Sequence, residues 1–185
     1  MTEKREEIFI SVDIEAAGPM PPDYSMLSLG CCLVSDPDKS FYVEFKPISE
    51  NVIPEAMAVS GFDLDSLKDT GTNPAEAMGR LDEWITANSG DGKPIFVGFN
   101  APFDWAFVNY YFLHFLKKNP FGIGAVDIKA MYMGATDSSW DATRSSQFPV
   151  DKQNEAEKHD ALADARHQAK LFRYVRGLRN QSTSD

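Results

Sequence analysis

The chain has 185 residues, enough for one domain with a full hydrophobic core, and its 43% hydrophobic and 25% charged residues are ordinary for a globular protein. No apolar run is long enough to span a membrane, and the charged start "MTEKREE" leads into a strand-like segment without a signal-peptide pattern, so a cytoplasmic protein is expected. A formal charge of -10 argues against holding nucleic acid through a broad electrostatic surface, since phosphate backbones are bound mainly by Lys and Arg, so such a partner would need a specific device.

In chain order, the first third reads as three strands, 8–15, 25–34 and 39–47, parted by "AAGPMPPDY" and "SDPDK", an antiparallel meander. Cys31 and Cys32 lie side by side in the second strand, where alternation sends them to opposite faces, suiting neither a disulfide nor a metal site. A helical stretch at "PEAMAV" ends at Gly61, and a second helix enters at Pro74 with Ala77, Leu81, Trp84 and Ile85 on one face. Strand 94–99 follows, then a helix over 102–119, a short strand at 124–128 and a helix from Lys129. Residues 134–158 are polar and weakly patterned, a candidate mobile loop; the last helix spans about 160–179, and 181–185 form a disordered tail. These elements predict a single α/β domain over 1–180, a mixed central β-sheet with an antiparallel three-strand meander and flanking helices.

Three stretches carry chemistry. In "SVDIEAAG", Asp13 and Glu15 are two apart on an otherwise apolar strand, so both carboxylates leave the same face. Two like charges there are costly unless a cation joins them, and hard divalent ions take such oxygen ligands. In "GFNAPFDWAF", a buried strand ends near Asn100, and Asp104 falls in the first turn of the next helix beside Phe103; on its own Asp104 could simply complement the helix dipole. In "EKHDALADARHQAKLF", Asp160 is a helix N-cap, His159 lies just outside the helix and Asp164 inside it, so that the two could meet a common substrate without touching each other. Alone, an H-x(4)-D pattern is more often a solvated helix face. Together the four carboxylates would suit two Mg²⁺ or Mn²⁺ ions holding a scissile phosphate, and His159 could deprotonate the attacking water.

The ordered pieces "DIE" (13–15), "NAPFD" (100–104) and "HDALADA" (159–165) resemble the DEDDh-type 3′–5′ exonucleases, the group that includes ribonuclease T and the proofreading subunit of bacterial DNA polymerase III. The resemblance runs along nearly the whole chain. It implies a ribonuclease H-like fold, two divalent metals on Asp13, Glu15, Asp104 and Asp164, and His159 as general base. Contacts to the terminal nucleotide are expected from Ile14, Ala16, Met57, Ser60, Asn100, Phe103 and His159. Where many relatives carry Thr-Thr-Gly this chain has Ala16-Ala17-Gly18, so hydroxyl contacts are missing there and backbone must serve; "VSGF" places Ser60, Gly61 and Phe62 where relatives have His-Gly-Ile or Thr-Gly-Ile.

The activity implied is release of nucleoside 5′-monophosphates from 3′ ends of short single strands, with only a slight lean to RNA over DNA. Two alternatives remain at this point: a ribonuclease H-like endonuclease, and a nucleic-acid-binding or scaffold domain without catalysis. The aromatic run "WAFVNYYFLHFL" is core plus one apolar surface, and its excess of rings could form a homodimer face. Trp140 is either a loop anchor or a base-stacking ring. Arg166, Lys170, Arg173, Arg176 and Arg179 decorate the last helix, and His114 and His167 are ordinary helix residues.

Overall fold

The computed structural model describes residues 5–151 and 159–181. Its centre is a five-stranded sheet of β1 (Glu7–Ala16), β2 (Met26–Leu33), β3 (Ser40–Glu44), β4 (Lys93–Gly98) and β5 (Ala125–Asp127), in the order β3-β2-β1-β4-β5. The meander β1–β2–β3 is antiparallel, while β4 and β5 join parallel to β1. Helices cover both faces: α1 (Pro54–Ser60), α2 (Leu64–Thr70), α3 (Pro74–Ser89), α4 (Pro102–Tyr111), α5 (Ile128–Thr136) and α6 (Ala161–Gln181). Among the described residues no helix is long and apolar enough to cross a membrane.

Strand alternation divides the core. Ile10, Val12, Ile14, Leu29 and Cys31 pack with Met78, Leu81 and Ile85 of α3 and Phe107, Val108 and Tyr111 of α4. On the other face Cys32, Val34 and Val97 pack with Ile128 of α5 and Ala169, Phe172 and Val175 of α6. The two cysteines thus take opposite faces, both buried and unpaired.

Several boundaries differ from the sequence reading. β3 stops at Glu44, although the next N–H, of Phe45, still donates to the Leu27 carbonyl of β2 at 2.9 Å while Phe45 forms a parallel bridge to Thr72. The helix expected over 102–119 is α4 followed by a π-helical turn, Phe112–Leu116, which ends when Lys117 turns left-handed (φ 58°). Its aromatics are largely used within the chain: Phe107, Tyr111 and Phe112 are buried, and the Tyr111 hydroxyl accepts a hydrogen bond from the Met26 N–H at 2.9 Å. That inward packing accounts for the excess of rings, and no homodimer face is carried forward from it. Within 134–158, short 3₁₀ turns form at Trp140–Thr143 and Ser145–Gln147, anchored by buried Thr143 and Phe148; 152–158 fall outside the described residues, as does the tail beyond Gln181.

Candidate active site

Parallel pairing of β1 with β4 runs from Glu7 to Ser11 against Lys93–Val97 and stops there, because β4 ends at Gly98. The second half of β1 therefore has no strand on that edge. The Ile14 N–H would be left without a ladder partner, and it donates instead to Oδ1 of Asp104 at 3.1 Å. One deletion in the ladder thus brings the first turn of α4 to the acidic end of β1. The turn into α4 is tight: Asn100 is left-handed (φ 63°), a conformation asparagine tolerates, and the next N–H, of Ala101, donates to Oδ2 of Asp127 at 2.6 Å. Asp127 also caps α5, its Oδ1 accepting from Ala130 N–H.

The other half of the site comes from α6. Asp13 pairs with Gly30 on β2, and a Cβ on Gly30 would sit 2.3 Å from the Leu162 nitrogen. Only glycine there lets the start of α6 lie flat on the sheet beside Asp13. Asp160 caps the helix by accepting from Ala163 N–H at 2.8 Å, as its position in the sequence predicts. His159 is left-handed (φ 64°), and its N–H donates to Oδ2 of Asp164 at 3.0 Å. The two residues therefore do touch, through the backbone of one and the carboxylate of the other, against the sequence expectation that they stay apart; the one-residue reversal before α6 folds His159 back over its first turn. One ring nitrogen of His159 and one carboxylate oxygen each of Glu15 and Asp164 lie within 4.8 Å of one another.

Asp13, Glu15, Asp104 and Asp164 are thus gathered from β1, α4 and α6. Asp104 is 4% exposed, and among the described residues no lysine or arginine pairs with any of the four. Burial, then the nearby charges of Asp104, Asp164 and Glu15, raises the Asp13 carboxyl well above its ordinary value. Burial raises Glu15 to about 7, with Asp164 and Asp160 adding to it, and raises Asp104 to about 8. Carboxylates that resist ionisation for want of a counter-charge are a fitting donor set for hard divalent cations. Beside Asp13 and Asp164 lies a cavity of about 190 Å³ whose walls include Phe99, Ser145 and Gln168. A larger cleft of about 370 Å³ at the opposite end of β1, beside Phe9, Val34 and Arg173, contains none of these residues.

The expected substrate contacts are placed unevenly. Met57 and Ser60 stand on α1, which is wired to the Ala16–Gly18 turn by the Ile53 N–H donating to the Ala17 carbonyl at 2.7 Å. The Ser60 hydroxyl turns back to the Met57 carbonyl, and Phe103 and Asn100 are exposed at the start of α4. Ile14 and Ala16 do not fit as side-chain contacts: both side chains are buried in the core facing α3 and α4, because alternation that turns Asp13 and Glu15 outward turns their neighbours inward. Only their backbone is available.

Sequence reasoning missed Gln168, Asp127 and Gly30. Gln168 is buried on α6; its Nε2 donates to Oδ1 of Asp13 and its Oε1 accepts from Phe99 N–H at 2.9 Å, tying the residue after β4 to the Asp13 carboxylate. Asp127 could have been found from its place between an apolar strand and a helix, where an N-cap belongs.

The family model for the 3′-5′ exoribonuclease Rv2179c-like domain matches residues 8–176. The chain belongs to that family. It is also 50% identical over 182 residues, 97% of each chain, to the 3′-5′ DNA exonuclease Cap18 of Escherichia coli. Its fold is shared with the nuclease domain of 3′hExo, a DEDDh family member crystallised with rAMP (TM-score 0.71, 14% identity, covering 97% of this chain and 94% of that one). E. coli Exonuclease I in complex with a dT13 oligonucleotide has the same fold (TM-score 0.72, 16% identity, 97% of this chain and 43% of that one). The protein is a 3′–5′ exonuclease, and its fold is the ribonuclease H-like fold of the DEDDh exonucleases.

Proposed function

We propose that the protein removes nucleoside 5′-monophosphates one at a time from the 3′ end of short single strands, using two divalent metal ions, Mg²⁺ or Mn²⁺, with DNA favoured over RNA. The observation that carries this reading is the convergence of Asp13, Glu15, Asp104 and Asp164 on one another, uncompensated by any described cation, with His159 at their rim. The four carboxylates would hold the metals, which when bound supply charge stabilisation for a phosphodiester and lower the cost of ionising water.

The chain's own residues do the rest. His159, exposed beside Glu15 and Asp164, takes a proton from the attacking water on a ring nitrogen. The water oxygen bonds to phosphorus, the P–O3′ bond breaks, the departing O3′ takes a proton from solvent water to leave as a 3′-hydroxyl, and His159 returns its proton to solvent. Gln168 keeps Asp13 aligned and Asp127 holds the turn that delivers Asp104. Met57, Ser60, Asn100 and Phe103 wall the terminal nucleoside, with the backbone of Ile14 and Ala16 completing the floor.

The slight lean to RNA in the sequence, which the exoribonuclease name of the family model shares, is set aside in this proposal for the relative that matches nearly the whole length. The 50% identical relative bears the name of a DNA exonuclease, and Ala16 and Ala17 offer no side-chain hydroxyl or amide to single out a ribose. A cytoplasmic setting agrees with two buried, unpaired cysteines. The test is a 5′-labelled single strand, as matched DNA and RNA, with Mg²⁺. A ladder shortening from the 3′ end, faster on DNA, is expected; internal cuts would favour the endonuclease, and binding without cleavage the scaffold.

A further inference from the structure

Phe99, at the end of β4, forms part of the wall of the cavity beside Asp13 and is fixed to that carboxylate through Gln168. The Lys129 ammonium lies 5.8 Å from the Phe99 ring centroid and 4.2 Å from that of Trp140. Among the described residues Lys129 makes no ion pair, in a chain whose formal charge is -10. The segment that carries Trp140 is anchored by other residues: Phe148 packs against Tyr132 at 4.2 Å between ring centroids, tilted by 31°, and meets Phe99 at 6.0 Å, Thr143 is fully buried, and its hydroxyl donates to the Trp140 carbonyl. Trp140 itself is 49% exposed, which an anchor would not be.

We infer that Phe99, Lys129 and Trp140 form a grip for the retained strand, Lys129 taking a backbone phosphate on the 5′ side of the scissile bond and Trp140 stacking an unpaired base. This rests on the exonuclease reading and deepens it. The track begins at the catalytic cavity and leaves on the β4–β5 side of β1, whereas the expected terminal-nucleoside contacts Met57 and Ser60 stand on α1. A single strand suits it because an unpaired base exposes its π-face to an aromatic ring and its phosphate to one cation, while a duplex does neither at a site this small. The grip also answers the charge problem: in a chain of formal charge -10, a cation placed beside the cavity serves in place of a broad basic surface.

The experiment measures binding of a DNA single strand of about ten nucleotides and of a dinucleotide to the inactive Asp104→Asn protein with Mg²⁺, adding Lys129→Ala or Trp140→Ala. Each should weaken the longer strand by roughly tenfold, within the range for base stacking on an aromatic ring, and leave the dinucleotide unchanged. Lys129→Ala should also flatten the plot of log affinity against log salt by about 0.7; Lys129→Arg should restore the slope and Trp140→Phe most of the affinity. Equal losses on both lengths, or unchanged affinity and slope on the longer strand, would overturn the grip. Loss of 3′-end shortening in the otherwise wild-type protein is read separately and bears on the exonuclease reading alone.

Discussion

On one face of β1, Ile10, Val12 and Ile14 are sealed against α3 and α4; on the other, Ser11, Asp13 and Glu15 look across to α6. The first face is apolar and its packing is complete. The second buries charge against charge, holds the neighbouring backbone of Asn100 and His159 in left-handed conformations, and lacks a strand along one edge. Ten consecutive residues therefore build the core with one alternation and carry the acidic cluster with the other. Strain and unneutralised charge of this sort persist only where the surrounding fold enforces them.

The sharpest way to separate the faces is to substitute one residue on each. Asp13→Asn, on the acidic face, should lower turnover by at least about a thousandfold, the scale expected when a group central to transition-state charge stabilisation is lost. Its melting temperature without metal should stay level or rise, since repulsion is relieved. Ile10→Ala, on the apolar face, should cost ~2–5 kcal/mol of stability yet keep near-normal turnover per folded molecule at low temperature. Turnover assays beside thermal melts check both; a destabilised Asp13→Asn or a dead but folded Ile10→Ala would break the comparison.

The acidic face was legible in the sequence because carboxylates at Asp13 and Glu15 interrupt an apolar strand, and because Asp160 caps a helix whose first turns carry Asp164. Local pattern sufficed for those. Gln168 was not legible: on a helix rich in Arg and Lys it reads as one more solvated side chain, and its partners, Asp13 and Phe99, are distant in sequence. Gly30 looks like a small strand residue until α6 is laid over it. The π-helical turn after α4 left no mark in a run whose apolar pattern fits an uninterrupted helix.

His159 belongs to the acidic face by position but adds nothing to the core, so its removal should be felt in chemistry only. His159→Ala should lower turnover by ~10²–10⁴-fold, with affinity for a short single strand nearly unchanged. Single-turnover rates and equilibrium binding on the same protein make the check; wild-type turnover in His159→Ala would remove the residue from proton transfer.

The central claim is that the four carboxylates form one uncompensated cluster awaiting divalent cations, and its most direct test is the melting temperature of metal-free protein from pH 5 to pH 8. Glu15 rises from 4.5 to about 7 and Asp104 from 3.8 to about 8, so across this window the folded state holds protons that the unfolded state has already released. Stability must then fall as pH rises between the unfolded and folded values. For a chain of this size ~1 kcal/mol corresponds to roughly 2–4 °C, so a fall of about 5 °C or more is expected at pH 8 relative to pH 5, shallower in Asp104→Asn. Mg²⁺ or Mn²⁺ should restore the loss at pH 8 and do far less at pH 5. A melting temperature that is flat or climbs over this range, and that ignores both ions at pH 8, would contradict the account.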